Sequence, residues 1–200
     1  MKQTHLFPNT LDKSDTLNLF QDLDRSEVEP LASKILETIR PFCVQVEVAG
    51  SFRRGKSIIN DLDFVVQPYT DQIRVSNQWL TMLKKVRSDF DAITEKQGDK
   101  LATLYLPFVS KKGNGHVQID FYRADPTTWG ILLLVRTGSK EHNVKLCKLA
   151  IQKGLRLQYS VGLVDQTGRV VAGRSEEQVF QALGLPFIAP EKREVEEAFS

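Results

Sequence analysis

The chain has 200 residues, 41% of them hydrophobic, with 27 Lys and Arg against 25 Asp and Glu and a formal net charge of +2. That length suits one substantial domain or two small ones sharing a core, and the hydrophobic fraction is ordinary for a soluble globular protein. The net charge is too small to name a partner by itself, and the longest apolar run, residues 131–135, is far too short to cross a membrane.

Residues 1–25 are polar and acidic and read as a partly ordered arm, in which Ser14 can cap a short helix carrying Leu17 and Phe20. No apolar run follows the first residues, so no signal peptide is expected. Ser26 is placed to cap a helix with Glu27 and Glu29 in its first turn and Val28, Leu31, Ile35 and Ile39 on one face, stopped by Pro41. Val44, Val46 and Val48 alternate with Gln45 and Glu47, which predicts a half-buried strand running into Gly50. A second strand is expected over residues 61–66, ended by Pro68, then a helix from Thr70 or Asp71 to about Val86 with Ile73, Trp79, Leu80 and Leu83 among its apolar positions. Two strands follow near residues 92–97 and 101–108, and the turn at Lys111–Gly115 leads into an alternating stretch. There Val117, Ile119 and Phe121 face one way, and His116, Gln118, Asp120 and Tyr122 the other. Pro126 at the first helical position is read as opening a helix through Val135. Thr137-Gly138-Ser139 breaks it, and a second helix runs over residues 140–153 to Gly154. Short strands near residues 155–159, 162–164 and 169–171 precede a helix capped by Ser175, stopped at Leu183-Gly184-Leu185-Pro186.

Cys43 and Cys147 have no metal-ligand spacing; Cys43 reads as a buried free thiol, and a reducing, intracellular location (cytoplasm, nucleoid or virus-associated) is the expectation. Residues 131–160 carry Arg136, Lys140, Lys145, Lys148, Lys153 and Arg156 against the single acid Glu141, the pattern of a nucleic-acid footprint or of a solvated helix face. His5 carries no signal, His116 reads as structural or solvent-facing, and His142 either approaches substrate or packs within the helix layer.

The chemistry concentrates between the first two long strands. Gly50 and Ser51 offer bare backbone N–H groups to an anion, and Arg53, Arg54 and Lys56 add positive charge matched to phosphate oxygens. Asp61 and Asp63, two apart on an extended strand, point to one side, and Asp120 is a third strand carboxylate. Three hard carboxylates suit two divalent ions, one holding a triphosphate and one activating a hydroxyl. No P-loop is present.

Gly50-Ser51-x-Arg53-Arg54-Gly55, Asp61-x-Asp63, Asp120 and Thr137-Gly138-Ser139 with Asn143 together resemble DNA polymerase family X, the group that includes DNA polymerase beta. The resemblance covers residues 42–200, and Gly162 to Arg193 is similar to the family's thumb. It implies an α+β fold, a nucleotidyltransferase palm with a mixed sheet and helices on one face followed by a small α/β thumb. The expected division is an acidic arm at 1–25, a palm at 26–136 and a thumb at 137–200.

The implied function is a DNA-directed DNA polymerase that adds nucleotides to a primer 3′-OH in gap filling. Template-independent or RNA-directed nucleotidyl transfer is the alternative, and a catalytically dead nucleic-acid-binding module the last. Asp61 and Asp63 would bind both metals and Asp120 the catalytic one, with two Mg²⁺ ions, or Mn²⁺, as cofactors. Gly50, Ser51, Arg54 and Asn60 would hold the triphosphate, Gly138 would lie against the sugar, and Asn143 would reach the base. Val135-Arg136 stands where the family commonly has an aromatic pair, so Arg136 is expected on phosphate or template rather than as a sugar gate. Lys140, Lys145 and Lys148 are the expected DNA-binding bases. Gapped or nicked primer-template DNA and deoxynucleoside triphosphates are the expected partners of a monomer with no membrane contact. The short stretch before residue 42 suggests a minimal palm-plus-thumb form, like the smallest viral members.

Overall fold

The computed structural model describes residues 17–70 and 77–194. His5, Ile73 and the Ser14 cap of the expected short helix lie outside those residues; Leu17 and Phe20, which that helix was to carry, are not helical, and Leu19 between them forms an isolated parallel bridge with His116.

The end of the acidic arm is packed on the body. Phe20 and Leu23 are buried, and strand β1 (Leu23–Asp24) pairs with the short strand β3 (Ile58–Ile59) beyond the Gly50–Ser57 segment. Helix α1 (Arg25–Ile39) starts earlier than expected: Asp24, not Ser26, is its N-cap. Its buried face is Val28, Ala32, Ile35 and Ile39, with Leu31 partly buried beside them, and Pro41 closes it in a 3₁₀ turn, Arg40–Phe42. Strand β2 (Cys43–Val48) departs from simple alternation. A register shift against its neighbour between Cys43 and Gln45 turns Val44 outward, while Cys43 and Val48 are buried. Cys43 is a free thiol against the Met82 sulfur at 3.8 Å, and burial pushes it up to about 12.

Helix α2 (Gly50–Arg53) is a single turn leading through β3 into the central strand β4 (Asp61–Pro68). Helix α3 (Gln78–Phe90) begins later than the expected Thr70 or Asp71, because the Asn77 side chain caps it by accepting from the Leu80 N–H. Strands β5 (Ile93–Gln97), β6 (Leu101–Ser110) and β7 (Gly113–Arg123) complete a five-stranded mixed sheet in the order β2-β4-β7-β6-β5. Only β4 and β7 run parallel within it. One face is apolar: Leu62, Phe64 and Val66 from β4 and Val117, Ile119 and Phe121 from β7 bury against α1 and against Trp79, Met82, Leu83 and Val86 of α3. Leu80, expected in that face, is exposed.

The opposite face carries Asp61, Asp63 and Asp120 and is covered only in part. Helix α4 (Trp129–Thr137) packs Trp129, Leu132 and Leu133 on Val65, Ala49 and Ala124. Pro126 lies in the turn before α4, whose N-cap is Thr128, so it does not open the helix. The other side of α4, Ile131 and Leu134, belongs to a second core with Leu146, Leu163, Val179, Phe180 and Leu183. Those residues come from α5 (Lys140–Gln152), a three-stranded antiparallel sheet of β8 (Arg156–Gln158), β9 (Gly162–Val164) and β10 (Val170–Ala172), and α6 (Glu176–Ala182). Ser139 and Ser175 cap α5 and α6 by accepting the N–H groups of His142 and Gln178. At Gly130 the α4 backbone touches the chain entering α6: an added Cβ would stand 2.1 Å from the Ser175 carbonyl carbon. The α+β class and the mixed sheet expected from the sequence are present. Among the described residues no helix is long and apolar enough to cross a membrane.

Candidate active site

Period-two alternation on β4 and β7 builds the floor of the site. Asp63 stands directly beside Asp120 in the parallel register, and Asp61 beside Gln118, so the three carboxylates share the face that the apolar core leaves free. One oxygen from each of Asp61, Asp63 and Asp120 lies within 4.8 Å of the others. Burial and mutual repulsion raise the carboxyl pKa of two of the three, Asp61 and Asp63. Burial, then the charges of Asp61 and Asp120, push the Asp63 carboxyl up to about 7. Burial, then Asp120, also hold Asp61 above the usual carboxylate range, with Arg54 acting the other way.

This donor set fits a divalent cation. All its ligand atoms are hard oxygens, and like charges forced together are relieved by a cation between them. The approach of the loop is equally tight. Gly50 has φ +59, and a Cβ there would fall 2.0 Å from Asp63 Oδ2, so only glycine lets α2 start against the carboxylates.

Side chains that the sequence did not single out orient the cluster. Thr103 Oγ1 donates to Asp120 Oδ1 at 2.5 Å, and Gln118 Nε2 donates to Asp120 Oδ2 at 3.0 Å. Tyr122 hydrogen-bonds the Asp63 carboxylate; burial first, then Asp63 and Asp120, push its hydroxyl upward. Tyr122 and Gln118 share the Asp120 face by alternation, which was a legible signal; Thr103 sits on the neighbouring strand β6 and had none.

A cleft of about 890 Å³ opens above the carboxylates, between α2 and α5. Gly50, Ser51, Arg54, Asn60, Asp61, Asp63, Arg136, Gly138, Lys140, Asn143 and Lys148 line it. Asp120 belongs to the carboxylate group below rather than to this lining, and Lys145 lies outside it. Several expected residues have particular partners. Asn60 Oδ1 accepts the Asp22 N–H at 2.6 Å and so ties the end of the arm to the cleft. Asn143 Nδ2 donates to the Val135 carbonyl at 2.8 Å. The Arg136 guanidinium lies over the Tyr122 ring, 3.9 Å from its centroid. His142 is buried against Phe180, and burial, then Arg193, lower it to about 4, so it packs rather than facing the cleft.

The neighbouring arginines at the end of α2 diverge. Arg54 Nη1 donates to the Thr137 carbonyl at 2.5 Å, and Arg54 and Lys56 both engage Glu194. Arg53 turns away from the cleft to Thr137 Oγ1 at 2.8 Å and to Glu176 at the start of α6. Glu176 also receives Arg193 at 2.8 Å. Burial alone would raise the Glu176 carboxyl, but the two guanidiniums reverse the sign and hold it below its ordinary value.

The chain is similar to several known proteins. Residues 132–194 match the family model described as DNA polymerase beta thumb. The DNA polymerase/3′-5′ exonuclease PolX of Bacillus subtilis is 29% identical over 167 residues, 82% of this chain and 27% of the relative. DNA polymerase lambda of Arabidopsis thaliana is 30% identical over 188 residues, 84% of this chain and 35% of the relative. The DNA nucleotidylexotransferase of Eulemur macaco is 26% identical over 212 residues, 88% of this chain and 42% of the relative. The chain therefore spans well under half the length of each of these relatives.

Proposed function

The chain is related to DNA polymerase family X, and from that premise we propose that it is a nucleotidyltransferase extending a DNA primer from a deoxynucleoside triphosphate with release of pyrophosphate. The observation that carries the reading is the β4–β7 register, which sets Asp61, Asp63 and Asp120 together under a cleft lined by Ser51, Arg54, Gly138 and Asn143.

In this reading the primer 3′-oxygen bonds to the α-phosphorus while the bond to the bridging oxygen of the β-phosphate breaks, and pyrophosphate leaves. Asp120, held through both oxygens by Thr103 and Gln118, accepts the 3′-OH proton. Asp61, Asp63 and Asp120 would hold divalent cations, Mg²⁺ by the hardness of the donors, whose chemistry is to neutralise triphosphate charge and activate the hydroxyl. Ser51, the Gly50 backbone and Arg54 bind the triphosphate, Gly138 abuts the sugar, and Asn143 and Arg136 bound the base side. Lys140 and Lys148 on α5, with Lys145, supply charge for the DNA backbone. The palm of this enzyme runs to residue 136 and the thumb follows from 137, with α4 packed into both cores. Gap filling in repair is the role this reading favours, on gapped or nicked primer-template.

Primer extension tests the proposal. Gapped, blunt and single-stranded primers are offered each deoxynucleotide or ribonucleotide with Mg²⁺ or Mn²⁺. Incorporation only of the nucleotide matching the template supports it. Untemplated tailing assigns the terminal-transferase reading, which the similarity to DNA nucleotidylexotransferase makes the second choice. Asp120→Asn is expected to abolish incorporation while nucleotide binding persists; normal turnover by that variant would overturn the assignment.

A further inference from the structure

The cations that should greet a triphosphate already face a carboxylate of the same chain. Arg54 and Lys56 both line the cleft beside Asp61 and Asp63. Glu194 spans them, one oxygen on Arg54 Nε and the other on Lys56 Nζ at 3.0 Å. The contact is built rather than incidental. Glu194 directly follows Arg193, whose side chain is 0% exposed and is gripped by Glu176 at 2.8 Å and by the Ile188 carbonyl at 3.0 and 2.9 Å. The Arg193 carbonyl in turn accepts from Ser139 Oγ at 2.9 Å, next to Gly138 in the cleft. The backbone bearing Glu194 is therefore anchored to the element that lines the nucleotide cleft. Glu194 is itself only partly exposed, with 28% of its side-chain surface accessible, so water screens the pairing incompletely.

Building on the reading of the cleft as a triphosphate site, we propose that Glu194 is an internal counter-anion of that site: it occupies Arg54 and Lys56 when no polyphosphate is bound, and retakes them as pyrophosphate leaves. A triphosphate carries several negative charges against one, so it displaces the carboxylate; pyrophosphate, no longer tethered to a nucleoside, competes with Glu194 less well. The carboxylate thus weakens substrate binding modestly and opposes retention of product. No bond is made or broken in this exchange. It is an exchange of anions at two cations.

Removing Glu194 should tighten polyphosphate binding. Titration calorimetry of the full chain with sodium tripolyphosphate and with pyrophosphate, in Mg²⁺ at low ionic strength, measures it for wild type, Glu194→Gln, Glu194→Ala and Arg54→Ala. Both Glu194 variants are expected to bind both ligands about three- to tenfold more tightly, the scale of a partly screened charge pair. The gain should shrink as salt is raised. Equal or weaker binding by both Glu194 variants, with unchanged thermal melting, would overturn the proposal and make Glu194 a positioning residue for Arg54. If Arg54→Ala binds tripolyphosphate as wild type does, the reading of the cleft itself fails. Loss of binding in Arg54→Ala with no gain from Glu194→Gln leaves that reading intact and removes only the counter-anion.

Discussion

Arg53 on the loop beside the carboxylates grips both oxygens of Glu176 at the start of α6, Nη1 to Oε1 at 2.9 Å and Nη2 to Oε2 at 2.7 Å. Glu176 is 5% exposed and also receives the fully buried Arg193, so two guanidiniums share one carboxylate. Two sequence-distant parts of the site are locked by this arrangement. Glu176→Gln leaves the buried Arg193 and the partly buried Arg53 facing each other without a counter-charge, and the expected cost is about 3–5 kcal/mol by urea unfolding. The pH dependence has a defined sign. Because the folded-state pKa of Glu176 is lowered, its stabilisation is fully present above the unfolded value near 4.5 and is lost as pH falls through the lower folded value. Glu176→Gln should flatten the acid limb of stability; an unchanged limb would assign that loss to other carboxylates.

Gly130 has no room for a methyl group. Its would-be Cβ meets the Ser175 backbone at 2.1 to 2.4 Å, and backbone atoms cannot swing aside as a flexible side chain can. Gly130→Ala should force α4 away from the segment entering α6 and cost about 3 kcal/mol or more, the upper range of overpacking. Gly98→Ala, whose nearest neighbour is the Leu101 carbonyl at 3.6 Å, is the control and should change stability by less than about 0.5 kcal/mol. Equal effects from the two would mean that the α4–α6 contact is not tight in solution.

The carboxylate cluster should cost the cation-free protein stability. Asp63 is raised to about 7, so its favourable contribution is complete below its unfolded value near 3.8 and is lost as pH rises through 7. Two outcomes are expected in thermal melts. Mg²⁺ should raise the melting temperature clearly at pH 8 and little at pH 5, where protons compete for the same oxygens. Asp63→Asn should melt higher than wild type in chelator at pH 8 and lose the Mg²⁺ response. A variant that melts lower in chelator would show that the carboxylate is stabilising without a cation.

Thr103 reaches Asp120 from a separate strand, with its hydroxyl 2.5 Å from Oδ1. Thr103→Val keeps the shape and removes the donor. Turnover in primer extension should fall about 10–100-fold, the usual scale for a group that orients a ligand carboxylate. The melting temperature should move little and the KM for nucleotide less than kcat. Thr103→Ser, which keeps a hydroxyl, should recover most of the rate; failure of that rescue would point to packing instead.

Much of the carboxylate cluster's placement was legible in the linear chain because it obeys short-range rules. Asp61 and Asp63 share a face because strands have a period of two, and Asp120 opposes the buried Val117, Ile119 and Phe121 for the same reason. Ser139 and Ser175 cap their helices as their local sequence requires. Other readings failed where a local rule met a tertiary one. Val44 turns outward because a register shift against β4 breaks the alternation. Pro126 remains in a turn closed by the Thr128 hydroxyl bonding back to Asp125, and α4 begins only at Trp129.

By itself, the sequence determined which face of each strand presents Asp61, Asp63 and Asp120, since that depends on residue type and backbone period. The tertiary structure decided what those side chains meet. The parallel register of β4 with β7 brings Asp63 beside Asp120 across a connection of some fifty residues, which no local pattern encodes. Arg53 and Arg54 are neighbours of identical chemistry, yet one turn of helix sends them to different partners: Arg53 to Glu176 in the core, Arg54 to the cleft and Glu194. Their difference arises from the packing of the C-terminal elements against the loop, and that packing depends on contacts between residues more than a hundred positions apart.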